Sequence, residues 1–137
     1  MKNISFAMTT HQFRARTKDV TRRLGWCGLK PGELLQAVEK CQGLHKGEKA
    51  VRLGVIRVVS VRREPIVALR AYPYGIEEMK REGFPGMAPH DFIHMFIRAN
   101  RCDDYVDVTR IEFEYLNPGE TRATGRQMTL TEWAQKG

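Results

Sequence analysis

The sequence predicts an α+β domain folded around a mainly antiparallel, curled sheet with two or three flanking helices. The periodic segments run strand, helix, several strands, helices, strand, the order of a sheet with helices set to one side. One long segment, Val51 to Arg62, carries an imperfect period of two, as a strand with one dry and one partly wet face does. At 137 residues, 42 % hydrophobic and 28 % charged, the chain suits one globular domain able to bury a core.

The elements follow in order. Asn3 to Met8 reads as a first strand, and Thr9 and Thr10 offer caps for a short helix over 11–17. Val20-Thr21-Arg22-Arg23 has extended character. Lys30-Pro31-Gly32 is a turn into a strand from Glu33 to Lys40, and Lys46-Gly47-Glu48-Lys49 is the next turn. After the long strand, Ile76 to Arg81 forms a helix ended by Gly83-Phe84-Pro85-Gly86. Pro89 suits a first helical position, and Phe92, Met95, Phe96 and Ala99 follow at helical spacing, widened by Ile93 and Ile97. The last strand is Val106 to Leu116. Its apolar phase shifts between Val108 and Ile111, which predicts a bulge near Thr109. The domain is expected to span 1–116. Residues 117–137 form a polar extension, with a short helix expected around Thr131 to Gln135 that includes Trp133.

Charge and cysteines narrow the functional classes. The net charge is +7, divided into +10 over residues 1–63 and −3 over 64–137. Such asymmetry favours a polyanionic partner over a merely solvated basic face. No apolar stretch reaches the roughly 18 residues of a membrane span, and the first residues lack the apolar run of a signal peptide. Cys27, Cys41 and Cys102 form no CxxC pair, which points to reduced thiols in a cytoplasmic protein and away from zinc. His90 and His94 stand four apart on a predicted helix with no third ligand evident. Trp26, Tyr72 and Tyr74 are candidates for base stacking or for ordinary packing. No metal or organic cofactor is expected, and the oligomeric state is left open.

Thr17-Lys18-Asp19-Val20-Thr21-Arg22-Arg23 resembles the signature of the ASCH domain family, a Lys-x-x-Thr/Glu segment followed by Arg. Lys30 to Leu35 is similar to that family's turn into a strand, Arg81-Glu82-Gly83-Phe84 to its Glu-Gly-Phe segment, and Val108 to Phe113 to its closing strand. The matched segments span about residues 3–116, and uncharacterised phage and prophage members look especially similar. The resemblance implies a PUA-like curled β-barrel whose cleft faces RNA or a modified nucleoside. One bacterial branch, the N4-acetylcytidine amidohydrolases, uses a Lys, a Thr and a Glu, which fall on Lys18, Thr21 and Glu82. The sequence departs from the pattern at Arg16-Thr17, where a Gly precedes the family's Lys, and at Asp19.

The residues are chemically consistent with amide hydrolysis. A Thr hydroxyl attacks only when a base takes its proton. A Lys serves as that base when burial or neighbouring positive charge lowers its pKa. Residues three apart do not share a face of a regular strand, so the reading requires a bend between Lys18 and Thr21. Glu82 would protonate the leaving nitrogen or orient a water. A ribonuclease in the same cleft is a variant. The alternative is a non-catalytic RNA-binding regulatory module, with Arg14, Arg16, Arg22, Arg23 and Lys30 as its phosphate footprint, joined in that reading by Lys18.

Overall fold

The computed structural model of the chain describes residues 1–40, 47 and 49–117. The strands are β1 (Lys2–Ser5), β2 (Val20–Arg23), β3 (Leu34–Val38), β4 (Arg52–Pro65) and β5 (Asp107–Tyr115), and the helices are α1 (Thr10–Ala15), α2 (Tyr74–Glu82) and α3 (Pro89–Asn100). They form one curled, mixed sheet in the order β1-β3-β4-β5-β2. The β1–β3 pairing is parallel and the other three are antiparallel. The architecture is the α+β half-barrel with flanking helices that the sequence predicts.

Two apolar cores lie on opposite faces of this sheet. The first gathers Ile4, Phe6, Phe13, Leu35, Ile56 and Phe113. The Phe6 ring makes tilted contacts with Phe13 and Phe113, at 4.9 and 5.7 Å between ring centroids. The second packs α2, α3 and a 3-10 segment (Ile66–Arg70) through Ile66, Leu69, Met79, Phe92, Ile93 and Val108. Each fully buried side chain of this size contributes about 2 kcal/mol of transfer free energy.

The two-sided burial explains the phase shift in β5. Val108 faces the second core, while Ile111 and Phe113 face the first. Pairing runs unbroken through Thr109, opposite Arg63, and the irregularity lies in β4 between Val58 and Ser60. The bulge expected at Thr109 is therefore in the partner strand.

Other boundaries differ for local reasons. β1 stops at Ser5, because the Phe6 carbonyl accepts both the Thr9 N–H and the Thr10 hydroxyl and folds Ala7–Thr9 into a 3-10 turn. β4 runs on to Pro65, which has no N–H to continue the ladder. Gly75 permits the first turn of α2 to lie against the 3-10 segment, since a Cβ there would stand 1.9 Å from the Leu69 carbonyl oxygen. Lys46 and Glu48 of the predicted turn, and the extension from Pro118 with its helix near Trp133, lie outside the described residues. Among the described residues no helix is long and apolar enough to cross a membrane.

Candidate functional site

Lys18 lies outside the regular strand that holds Thr21. α1 ends at Ala15, Arg16 takes a left-handed conformation with φ 58°, and β2 begins at Val20. The connecting backbone is pinned on three sides. Asp19 N–H donates to the Arg81 carbonyl, Phe113 N–H donates to the Asp19 carbonyl, and the Tyr115 hydroxyl donates to the Lys18 carbonyl at 2.5 Å. Lys18 thus sits on a fixed hinge between helix and strand. Burial pushes the Tyr115 hydroxyl up to about 12, so it stays a donor at neutral pH.

α2 brings Glu82 to the same place. Its buried residues are Gly75, Glu78, Met79 and Glu82, one face at helical spacing that carries two carboxylates inward. The helix ends on Gly83 with φ 93°, and a Cβ there would approach Gln12 Cγ at 2.9 Å and Lys18 Cβ at 3.1 Å. The glycine therefore lets the end of α2 press against α1 and Lys18.

Lys18, Thr21 and Glu82 border one pocket of about 280 Å³. Lys18 Nζ stands 3.5 Å from Glu82 Oε1, with only 2 % and 3 % of the two side chains exposed. Burial drives the Lys18 ammonium pKa below its usual value. Glu82 opposes that shift, while Arg23 and Arg22 reinforce it. Thr21 is 3 % exposed, and its hydroxyl oxygen accepts a 2.9 Å hydrogen bond from Arg23 Nε. The Phe6 ring forms a wall, 5.5 Å from Lys18 Nζ and 5.0 Å from Arg23 Cζ, taken to its centroid. Phe84, Phe92, Met95 and Phe96 supply an apolar side.

Behind the pocket lies a buried ionic seam. Arg22 reaches Glu82 Oε2 at 2.9 Å, Glu78 Oε1 at 2.5 Å and Glu64 Oε2 at 3.0 Å. It also donates to the Tyr74 hydroxyl at 3.1 Å. Arg110 donates to both oxygens of Glu78, Oε1 at 2.6 Å and Oε2 at 3.1 Å. Burial alone would raise the Glu78 pKa, but the hydrogen bonds and charges of Arg110 and Arg22 bring it down to about 2. Burial likewise works against the Arg22 charge, and Glu82, Glu78 and Glu64 outweigh it, so its pKa rises. Arg22 takes one oxygen of Glu82, Oε2, and Lys18 faces the other, Oε1.

The five expected footprint cations separate in the structure. Arg22 is 4 % exposed and its guanidinium is committed to three carboxylates, so it forms no part of an exposed surface. Arg23 borders the pocket. Arg14 is exposed and 4.0 Å from Glu39, Arg16 lies over the Tyr115 ring at 5.1 Å, and Lys30 is exposed in its turn. Tyr74 is held by Glu64, Arg22 and Arg62, and Trp26 packs on the first core. Tyr72 is exposed. The rings of His90 and His94 stand 4.4 Å apart, and no group of three potential metal ligands occurs among the described residues. Cys27 and Cys102 are free thiols.

Sequence reasoning missed Glu78, Glu64 and Arg110. Glu78 had a legible signal, its four-residue spacing from Glu82 around Met79 on a predicted helix. Glu64 and Arg110 had none, since strand neighbours meet only through sheet register.

No family model matches the chain, and no curated protein matches its sequence. Solved structures share the fold. The hypothetical protein PH0355 aligns over 84 % of this chain and 96 % of its own, at 17 % identity and a TM-score of 0.53. Protein EF3133 from Enterococcus faecalis V583, described under the family model DUF984, aligns over 80 % of this chain and 70 % of its own, at 12 % identity and a TM-score of 0.55.

Proposed function

We propose that the chain is an ASCH-type domain that handles RNA or a modified nucleoside, and that it hydrolyses the acyl amide of N4-acetylcytidine or a related base. The observation that carries this reading is a desolvated Lys18 beside Glu82 and Thr21 on one pocket with an aromatic wall. A perturbed amine, a hydroxyl and a carboxylate in a concave site are the parts that acyl transfer needs.

In this mechanism the neutral Lys18 amine takes the Thr21 hydroxyl proton as Oγ1 attacks the amide carbon. Arg23 Nε, already bonded to Oγ1, offsets the charge developing there. Collapse of the tetrahedral adduct breaks the C–N bond, and the Lys18 ammonium returns its proton to the leaving amine. Water then attacks the Thr21 ester, giving up its proton to Lys18, and the Lys18 ammonium passes that proton to Thr21 Oγ1 as the C–O bond breaks and acetate leaves. Glu82 orients the amine and that water. The apolar side of the pocket takes the base, and the setting is the cytoplasm, where Cys27 and Cys102 stay reduced.

The test is chromatographic assay of purified protein with N4-acetylcytidine. Turnover should fall by about a hundredfold or more in Lys18→Ala and be lost in Thr21→Ala. Absence of turnover, with RNA binding that weakens steeply with salt and depends on Arg14, Arg16 and Lys30, would replace the hydrolase by a binding module. Cleavage of RNA in a gel would replace it by a ribonuclease.

A further inference from the structure

Thr9 carries a hydroxyl with no hydrogen-bond partner among the described residues. It occupies the cap position before α1, where a threonine ordinarily accepts a helix N–H, yet it makes no side-chain capping bond. Its backbone N–H is taken up by the Phe6 carbonyl. The residue is only 7 % exposed, and its hydroxyl has no hydrogen-bond partner among the described residues. It borders the same pocket as Lys18, Thr21 and Glu82.

An unbonded buried hydroxyl costs free energy, so buried polar groups nearly always have partners. The neighbouring Thr10, which differs in sequence position by one, shows the ordinary outcome: its hydroxyl donates to the Phe6 carbonyl at 2.8 Å. Thr9 instead borders a space that also holds Lys18, whose Nζ stands 3.5 Å from Glu82 Oε1. A pocket with unspent hydrogen-bonding groups and an apolar side of Phe84, Phe92 and Phe96 matches a flat heteroaromatic ring with a polar edge.

We infer that Thr9 is a substrate-reading residue of this pocket, its hydroxyl hydrogen-bonding the polar edge of a bound nucleobase. The inference rests on the nucleoside reading of the site, but it does not require hydrolysis. Thr9 contributes to affinity and not to the bond-breaking step, so its loss raises KM and leaves kcat nearly unchanged.

The experiment compares wild type, Thr9→Val and Thr9→Ser. Calorimetric titrations use cytidine and N4-acetylcytidine as probes, and thermal unfolding is measured without ligand. Thr9→Val should bind roughly fivefold to tenfold more weakly, the range of one buried neutral hydrogen bond. Its unfolding temperature should not fall, because no bond within the protein is lost. Thr9→Ser should bind as the wild type does. Equal binding by wild type and Thr9→Val overturns the inference, as does a clear drop in stability of Thr9→Val that Thr9→Ser restores. Wild-type binding without turnover defeats only the hydrolase. If the wild type binds neither probe, both readings fall together.

Discussion

Arg22→Met is the sharpest test of what holds the site. The substitution removes a guanidinium with no exposed side-chain surface and three ion pairs, to Glu64 at 3.0 Å, Glu78 at 2.5 Å and Glu82 at 2.9 Å. The loss is smaller than three full pairs because each carboxylate keeps another partner. Glu64 retains Tyr74 and Arg62, Glu78 retains Arg110, and Glu82 retains Lys18 at 3.5 Å. Glu82 is left worst, since its remaining partner is the more distant and itself poorly solvated. Stranding a buried charge in this way costs about 3–5 kcal/mol, a large part of the roughly 5–15 kcal/mol of a typical domain. Urea unfolding at neutral pH measures the loss directly. Arg22→Lys keeps the charge but not the fork, and should fall between wild type and Arg22→Met. Arg70→Met supplies the control, because its 3.8 Å partner Asp104 is 44 % exposed and such pairs contribute at most about 1 kcal/mol. If Arg22→Met costs no more than Arg70→Met at an unchanged denaturant slope, the seam does not hold α2 to the sheet and the reasoning fails.

Two further outcomes follow from the same packing. Glu78 is held at about 2 against its usual 4.5, so its stabilisation is present above pH 4.5 and is lost as pH falls from there toward 2. That limb is worth about 3 kcal/mol at neutral pH, and urea midpoints measured against pH should show it in wild type and lose it in Glu78→Gln. Gly75→Ala forces a Cβ to 1.9 Å from the Leu69 carbonyl oxygen, a backbone contact that cannot rotate away. Its cost should reach about 2–3 kcal/mol, and a thermal midpoint equal to wild type would contradict the close approach.

The sequence carried the outline of the fold through its periodicities. Val51 to Arg62 marks the longest strand, and Phe92, Ile93 and Phe96 mark the inner face of α3. What it lacked was sidedness. Val108 and Ile111 look out of phase only because β5 has an apolar core on each face, a fact that emerges from the placement of α2 and α3. The same limit applies to charge. Arg22 and Arg23 read as an equivalent basic pair, yet strand alternation sends Arg22 into the carboxylates of α2 and Arg23 to the Thr21 hydroxyl. A charge asymmetry of +10 against −3 thus describes internal pairing as well as surface. Part of the basic half is neutralised by Glu64, Glu78 and Glu82 of the acidic half, all three through Arg22.

Lys18 and Arg22 both contact Glu82, and they should respond in opposite ways to removal. Arg22 gains more from its carboxylates than burial takes, so its pKa is raised. Lys18 loses more to burial than its one carboxylate returns, so its pKa is lowered. A base whose folded pKa is depressed costs stability at all lower pH, and that cost fades as pH rises from the folded value toward 10.5. Lys18→Met deletes the cost and fills the space under Phe6 with an apolar chain of similar length, while Glu82 keeps Arg22 at 2.9 Å. The variant should therefore be at least as stable as wild type at neutral pH, in contrast to Arg22→Met, and should lose the rise in stability on the alkaline side. Under the proposed function, that cost is one the fold bears for a group that meets a ligand. A loss of more than about 1 kcal/mol in Lys18→Met, the worth of an ordinary structural hydrogen bond, would show that Lys18 supports the scaffold, and would take away the main physical ground for placing chemistry at this pocket.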